Sequence, residues 1–297
     1  MENLQPANST LKTDFAFLAT EKNTDKYIET APNVKLYVKD YGQGDPVILI
    51  HGWPLSNEMW EYQIEDLVAN NYRVIAYDRR GFGKSSQPWN GYDYDTLTDD
   101  LKAIIDQLEL ENITLVGFSM GGGEVVRYLS RYAGKNVSKI VLISSVTPFL
   151  AQSTENPEGR SEEKNEDTQH AISEDRLGFL EDFGKNFFGV NFITSVISTP
   201  LLEYYRMLAS FASPHATLEC AKSFASADFR DELASINVPA LIIHGNSDKI
   251  VPIEISSEKT AKLITNNKFI IYDGAPHGLF YTEKDKLNTD LLEFLNS

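Results

Sequence analysis

The stretch Ile113-Thr114-Leu115-Val116-Gly117-Phe118-Ser119-Met120-Gly121-Gly122-Gly123-Glu124-Val125 decides how this chain is read. Its first four residues are an apolar run of the kind that fills a buried strand, and Gly122–Tyr132 reads as a helix. Between them stands G-x-S-x-G, with Ser119 at the turn. A strand that passes into a helix over so few residues crowds the positions two places either side of the serine, so glycine is expected at 117 and 121. Such a turn lifts Ser119 Oγ clear of the sheet. It also sets the Met120 N–H at a helix N-terminus, where partial positive charge can stabilise an oxyanion.

The same alternation extends outward along the chain. Short β-rich runs occur at Val34–Tyr41, Val47–Ile50, Tyr72–Tyr77, Ile113–Phe118, Lys139–Ser144, Ala240–His244 and Lys268–Tyr272. Several are apolar throughout, as in strands covered on both faces of a mostly parallel sheet. Helical periodicity fills the gaps at Asn57–Asn70, Asp95–Leu108, Val125–Tyr132, Ile253–Leu263 and Lys284–Leu295. Strand–helix alternation of this kind predicts a doubly wound α/β sheet. Residues 1–25 are polar and mixed and read as an N-terminal extension. From Thr147 to Ile236 no buried strand is expected. Gln152–Asp182 is acidic, a solvated face, and the aromatic part that follows includes Phe183, Phe187, Phe188, Phe192 and Tyr205. A helical insertion at 147–236 fits best, splitting a core of 26–146 and 237–297.

A serine hydroxyl needs a base, and the base needs a carboxylate to orient it. Of the five histidines, His277 stands in Ala275-Pro276-His277-Gly278, just past a strand. Asp248 follows the preceding strand in His244-Gly245-Asn246-Ser247-Asp248. Ser119, Asp248 and His277 therefore lie beyond strand ends on the face where the serine emerges. His51 precedes the serine and lacks a partner, which makes it structural, as is His244 at its strand end; His170 and His215 take no role. A second oxyanion donor is expected from His51-Gly52-Trp53-Pro54, where Gly52 permits an unusual turn and Trp53 can point an N–H into the site.

On these residues the chain resembles an α/β-hydrolase. More narrowly it is similar to the cofactor-free bacterial haloperoxidase (perhydrolase) and aryl esterase group. The likeness rests on His51-Gly52-Trp53-Pro54-Leu55, Tyr77-Asp78-Arg79-Arg80-Gly81-Phe82-Gly83, Gly117 through Val125, His244-Gly245 through Asp248 to Val251-Pro252, and Ala275-Pro276-His277-Gly278. It runs from about Lys26 to the C-terminus. The resemblance implies a mostly parallel sheet of about eight strands with helices on both faces and a helical cap. It implies a Ser119–His277–Asp248 esterase with Trp53 and Met120 at the oxyanion hole, acting on small acyl or aryl esters. It further implies perhydrolysis, in which hydrogen peroxide replaces water as the acyl acceptor and a short carboxylic acid supplies the acyl group. Neither a cofactor nor a metal belongs to that chemistry. By the same likeness Trp53, Pro54, Phe118, Ile250 and Val251 line the substrate pocket, with Phe187 or Phe188 closing it. Pro54 lacks an N–H and has a fixed φ, so it can carry the Trp53 carbonyl towards the peroxide.

Other readings fare worse. Gly81-Phe82-Gly83-Lys84-Ser85 resembles the end of a phosphate loop, but the first glycine of that motif falls on Asp78, and Ser86 stands where a dinucleotide fingerprint needs its third glycine. Dehalogenases and epoxide hydrolases of this fold need a carboxylate where Ser119 stands. A plain carboxylesterase, lactonase or amidase remains the nearest alternative, and a slow ligand-binding relative the more distant one. The formal charge of −16 over 297 residues disfavours nucleic acid and anionic membranes as partners. A single cysteine, Cys220, excludes an internal disulfide and a cysteine metal cluster. Without an apolar span or a leader pattern, a soluble cytoplasmic protein is expected, as a monomer or a homo-oligomer.

Overall fold

The computed structural model describes residues 26–190 and 197–297. The expected extension, residues 1–25, and Phe192 lie outside the described residues. Strands β1 (Lys26–Ala31) and β2 (Val34–Tyr41) form a hairpin, and β3 (Pro46–Ile50) leads through α1 (Glu61–Ala69) to β4 (Arg73–Tyr77). Helix α2 (Tyr94–Gln107) leads to β5 (Ile113–Phe118), and α3 (Met120–Arg131) to β6 (Val137–Ile143). Five helices then follow without a sheet strand among the described residues: α4 (Glu162–Glu174), α5 (Arg176–Phe187), α6 (Thr199–Ser210), α7 (Pro214–Ser226) and α8 (Arg230–Leu233). The chain closes with β7 (Ala240–Gly245), α9 (Ser257–Leu263), β8 (Asn267–Tyr272), α10 (Leu279–Thr282) and α11 (Lys284–Leu295).

The eight strands form one sheet in the order β1-β2-β4-β3-β5-β6-β7-β8. The pairs β1–β2 and β2–β4 are antiparallel, and all others are parallel. The central strands are apolar because both of their faces are covered. Ile48 and Ile50 of β3 join Leu115, Leu142 and Ile242 with residues of α2 and α3 in one cluster. Val47 and Leu49 join Val116, Val141 and Leu241 with residues of α1 and α11 in the other. The period of two along each strand thus feeds two cores.

Local signals set the helix starts. Asp93 accepts the Thr96 N–H at 2.9 Å before α2, and Ser213 caps α7, which carries Pro214 at its first position. The reading from sequence begins its strands at Val34, whereas the structure adds β1. Only Ile28 of β1 is buried, so an edge strand with one thinly covered face leaves little periodic signal. Among the described residues, no helix is long and apolar enough to cross a membrane.

Candidate active site

The direction in which successive strands are added to the sheet reverses between the parallel strands β3 and β5. From β3 the chain crosses to β4 on one side, and from β5 to β6 on the other. Parallel strands that part in this way leave a crevice beyond their carboxyl ends. The Gly52–Trp53 loop follows β3 and Ser119 follows β5, so the two flank that crevice. The loops after β7 and β8 deliver Asp248 and His277 to the same end of the sheet.

Ser119 occupies φ 53°, ψ −116° at the start of α3. This conformation is rare for a residue with a side chain. The turn is pinned by the Ser119 N–H donating to Ile143 O at 2.8 Å and the Gly122 N–H donating to Ser119 O at 3.0 Å. A Cβ on Gly117 would lie 2.5 Å from Gly121 O, and one on Gly121 would lie 2.6 Å from Ile50 O. The expected need for glycine at both positions is therefore a matter of backbone contact.

His277 Nε2 lies 3.0 Å from Ser119 Oγ, and His277 Nδ1 lies 2.6 Å from Asp248 Oδ2. The other carboxylate oxygen, Oδ1, accepts the N–H groups of Ile250 and Val251, each at 2.8 Å. All three side chains are buried. Burial is the largest influence on Asp248 and acts upward, yet His277 and His244 outweigh it and hold the carboxyl well below the usual range.

His244 bears directly on this carboxylate. Its Nε2 lies 3.0 Å from Asp248 Oδ2 and 2.9 Å from Val251 O, while Nδ1 lies 2.7 Å from Ser257 Oγ. Two acceptors around Nε2 require the proton there, and Ser257 then donates to Nδ1. From sequence His244 reads only as structural. The signal that it touches Asp248 was its place four residues upstream, at the end of the strand from which the Asp248 loop departs.

On the oxyanion loop the two N–H groups of Trp53 have different surroundings. The Trp53 indole N–H does not point into the site; it donates to Thr217 O of α7 at 2.9 Å. What remains available is the Trp53 backbone N–H. Neither it nor the Met120 N–H is spent on a hydrogen bond among the described residues. His51 is buried beneath the loop, its Nε2 accepting the Arg79 N–H at 3.0 Å. Burial, with Arg79 beside it, pushes the His51 pKa well down, so the ring stays neutral. Arg79 donates through Nη2 to His51 O at 2.7 Å and through Nε to Glu124 Oε1 at 2.7 Å. This buried guanidinium joins the oxyanion loop to the nucleophile helix. Burial pushes the Glu124 carboxyl up, while Arg79 and Tyr77 work against it.

A cavity of about 320 Å³ opens over Ser119. Trp53, Ile250 and Val251 line it, as the family likeness implies, with Phe179, Phe183 and Phe224 as its aromatic wall. Two expected lining residues lie elsewhere. Phe118 is fully buried against Trp60, Phe280 and His277. Pro54, joined to Trp53 through a cis peptide bond, faces a separate small pocket beside Phe187 and Tyr205. Phe187 and Phe188 do not close the cavity either. They pack on Phe280, and the Phe187 carbonyl accepts the Gly278 N–H at 2.8 Å, bracing the His277 loop. His215 stacks on Trp89 at 3.9 Å between ring centroids, and His170 is exposed on α4.

Comparison with known proteins bears on the family and the fold. The alpha/beta hydrolase fold family matches residues 45–197 and 203–284. A bifunctional esterase/perhydrolase of Acinetobacter calcoaceticus is 39% identical over 274 residues, covering 91% of this chain and 99% of that protein. A non-heme chloroperoxidase of Kitasatospora aureofaciens is 36% identical over 269 residues, covering 90% and 98%. The crystal structure of a bromoperoxidase from Bacillus anthracis superposes with a TM-score of 0.89 at 47% identity, covering 92% of this chain and all of that one.

Proposed function

Because the chain belongs to the α/β-hydrolase fold family, alongside cofactor-free haloperoxidases, perhydrolases and esterases, we propose that it is a serine esterase of small acyl or aryl esters that also runs perhydrolysis. The observation that carries this reading is the continuous Ser119–His277–Asp248 hydrogen-bonded chain opening on one cavity. In it, His277 Nε2 takes the Ser119 proton as Oγ attacks the ester carbonyl. Asp248 fixes the imidazole tautomer and stabilises the cation that forms. The backbone N–H groups of Trp53 and Met120 receive the oxyanion, each worth about 3–4 kcal/mol in the transition state. His277 then protonates the leaving alcohol. Water, or hydrogen peroxide, attacks the acyl-enzyme, and the acid or peracid leaves. Residues 147–236 serve as a cap over a core formed by 26–146 and 237–297.

A perhydrolysis branch is supported by the relatives above, whose names include both activities, and by the Trp53-Pro54 pair next to the oxyanion N–H. The test is hydrolysis of p-nitrophenyl acetate, butyrate and octanoate by wild type and Ser119→Ala, then bromide oxidation in acetate and peroxide. Short-chain hydrolysis lost in Ser119→Ala supports the esterase, and acetate-dependent halogenation supports the perhydrolase. Hydrolysis without halogenation leaves a plain carboxylesterase. Retention of turnover by Ser119→Ala refutes the nucleophile assignment.

A further inference from the structure

The cavity above Ser119 joins two chemistries. Deep in it the walls are apolar, with Trp53, Phe179, Phe183 and Phe224. At its exposed rim stand Arg160, Lys164 and Lys249 against a single lining carboxylate, Glu158. Glu158 is itself drawn to Lys259, 3.8 Å away. None of the three rim cations forms an ion pair among the described residues, in a chain whose acidic residues outnumber its basic ones by 43 to 27.

Arg160 is held in place without being neutralised. Its Nη2 donates to Lys164 O at 3.1 Å and to Thr168 Oγ1, and its backbone N–H donates to Leu150 O at 2.7 Å. Among the described residues the hydrogens on Nε and Nη1 take no partner. Desolvation draws its pKa down, a pull that an anion beside it would offset. Lys249 is fixed through its chain neighbours, because Asp248 Oδ1 binds the N–H groups of Ile250 and Val251. An oriented guanidinium with unused donors suits a planar carboxylate. A cationic mouth on a chain of net charge −16 draws such ligands towards the cavity.

We propose that this rim is an anion subsite, and that the preferred esters carry a carboxylate at the far end of the acyl chain. Monoesters of dicarboxylic acids are the class: the ester sits at Ser119, the methylene chain on the aromatic wall, and the free carboxylate at Arg160 and Lys249. The proposal rests on the serine-esterase reading. Its test is a pH-stat comparison of monomethyl adipate with methyl hexanoate, matched in chain length, for wild type, Arg160→Gln, Lys249→Gln and Lys262→Gln at low and high salt. Lys262 is an exposed lysine outside the cavity lining. Wild type should favour the adipate monoester at low salt. The ratio of kcat/KM values should fall about fivefold in Arg160→Gln and in high salt, as for a partly exposed ion pair. Lys262→Gln should keep the wild-type ratio. A ratio at or below one that neither Arg160→Gln nor Lys249→Gln moves, with methyl hexanoate turnover still dependent on Ser119, overturns the subsite and leaves the esterase standing. Cleavage of neither ester while a fluorophosphonate still labels Ser119 also overturns the subsite alone. Cleavage of neither without labelling overturns both.

Discussion

Replacing Ser119 by glycine should leave a more stable protein than replacing it by alanine. Both variants lose Oγ and its 3.0 Å contact with His277 Nε2, so that loss cancels between them. What differs is the backbone. At φ 53° and ψ −116° the residue lies outside even the left-handed well, and strain of this kind costs about 1–3 kcal/mol for a residue with a Cβ, here towards the upper end. Glycine returns about 0.4–1 kcal/mol through the greater freedom of its unfolded chain. Loss of the Cβ costs a further few tenths, roughly half of the ~0.8 kcal/mol for a fully buried methylene, because one side of Ser119 faces the cavity. The balance is about 1 kcal/mol in favour of Ser119→Gly, or about 1.5 °C in Tm for a chain of 297 residues. Urea and thermal melts of the two variants side by side measure it, with ester hydrolysis absent from both. An alanine variant as stable as the glycine variant, or more so, would show that the turn stores no strain at Ser119.

Four further outcomes follow from the same geometry. Glu124→Leu strips the buried Arg79 guanidinium of its carboxylate and should cost about 3–5 kcal/mol in a urea melt; a loss below about 1 kcal/mol would mean that the pair is dispensable. His244→Phe removes the N–H donated to Asp248 Oδ2 and should lower kcat about tenfold with little change in KM, the size of one hydrogen bond to a charged group; an unchanged kcat would confine His244 to packing. On Asp40 burial acts upward, but Arg73 and Lys26 outweigh it and hold its pKa below the ordinary value. A depressed folded pKa means stability that is complete above the unfolded value near ~3.9 and lost as pH falls towards the folded one. Urea midpoints at pH 5, 4 and 3 should therefore drop less steeply in Asp40→Asn than in wild type, and parallel slopes would contradict the assignment. Pro54→Leu should change the ratio of perhydrolysis to hydrolysis; a constant ratio would separate the proline from peroxide chemistry.

Most of the sheet was legible because its central strands are covered on both sides, so Val47–Ile50 and Ala240–Ile243 are apolar without interruption and only Thr114 is polar within Ile113–Phe118. Strand β1 was not, since an edge strand buries only Ile28. The acidic stretch read as a solvated face also contributes Arg160, Lys164 and Thr168 to the cavity. Their residue types and spacing do not distinguish a helix face turned to water from one turned towards Ser119.

The sequence by itself determined the nucleophile turn and the order in which Ser119, Asp248 and His277 reach one end of the sheet. Those features depend on backbone sterics over a few residues and on a parallel topology that alternating strands and helices dictate. Tertiary structure alone decided which aromatic side chains meet the substrate space. Phe179 and Phe183 face it, while Phe187, one further turn along α5, packs against Phe118 and His277. It also turned the Trp53 indole away to Thr217 and brought His244 against Asp248. Each of these outcomes depends on where one packed element comes to rest against another, a relation that no local pattern along the chain encodes.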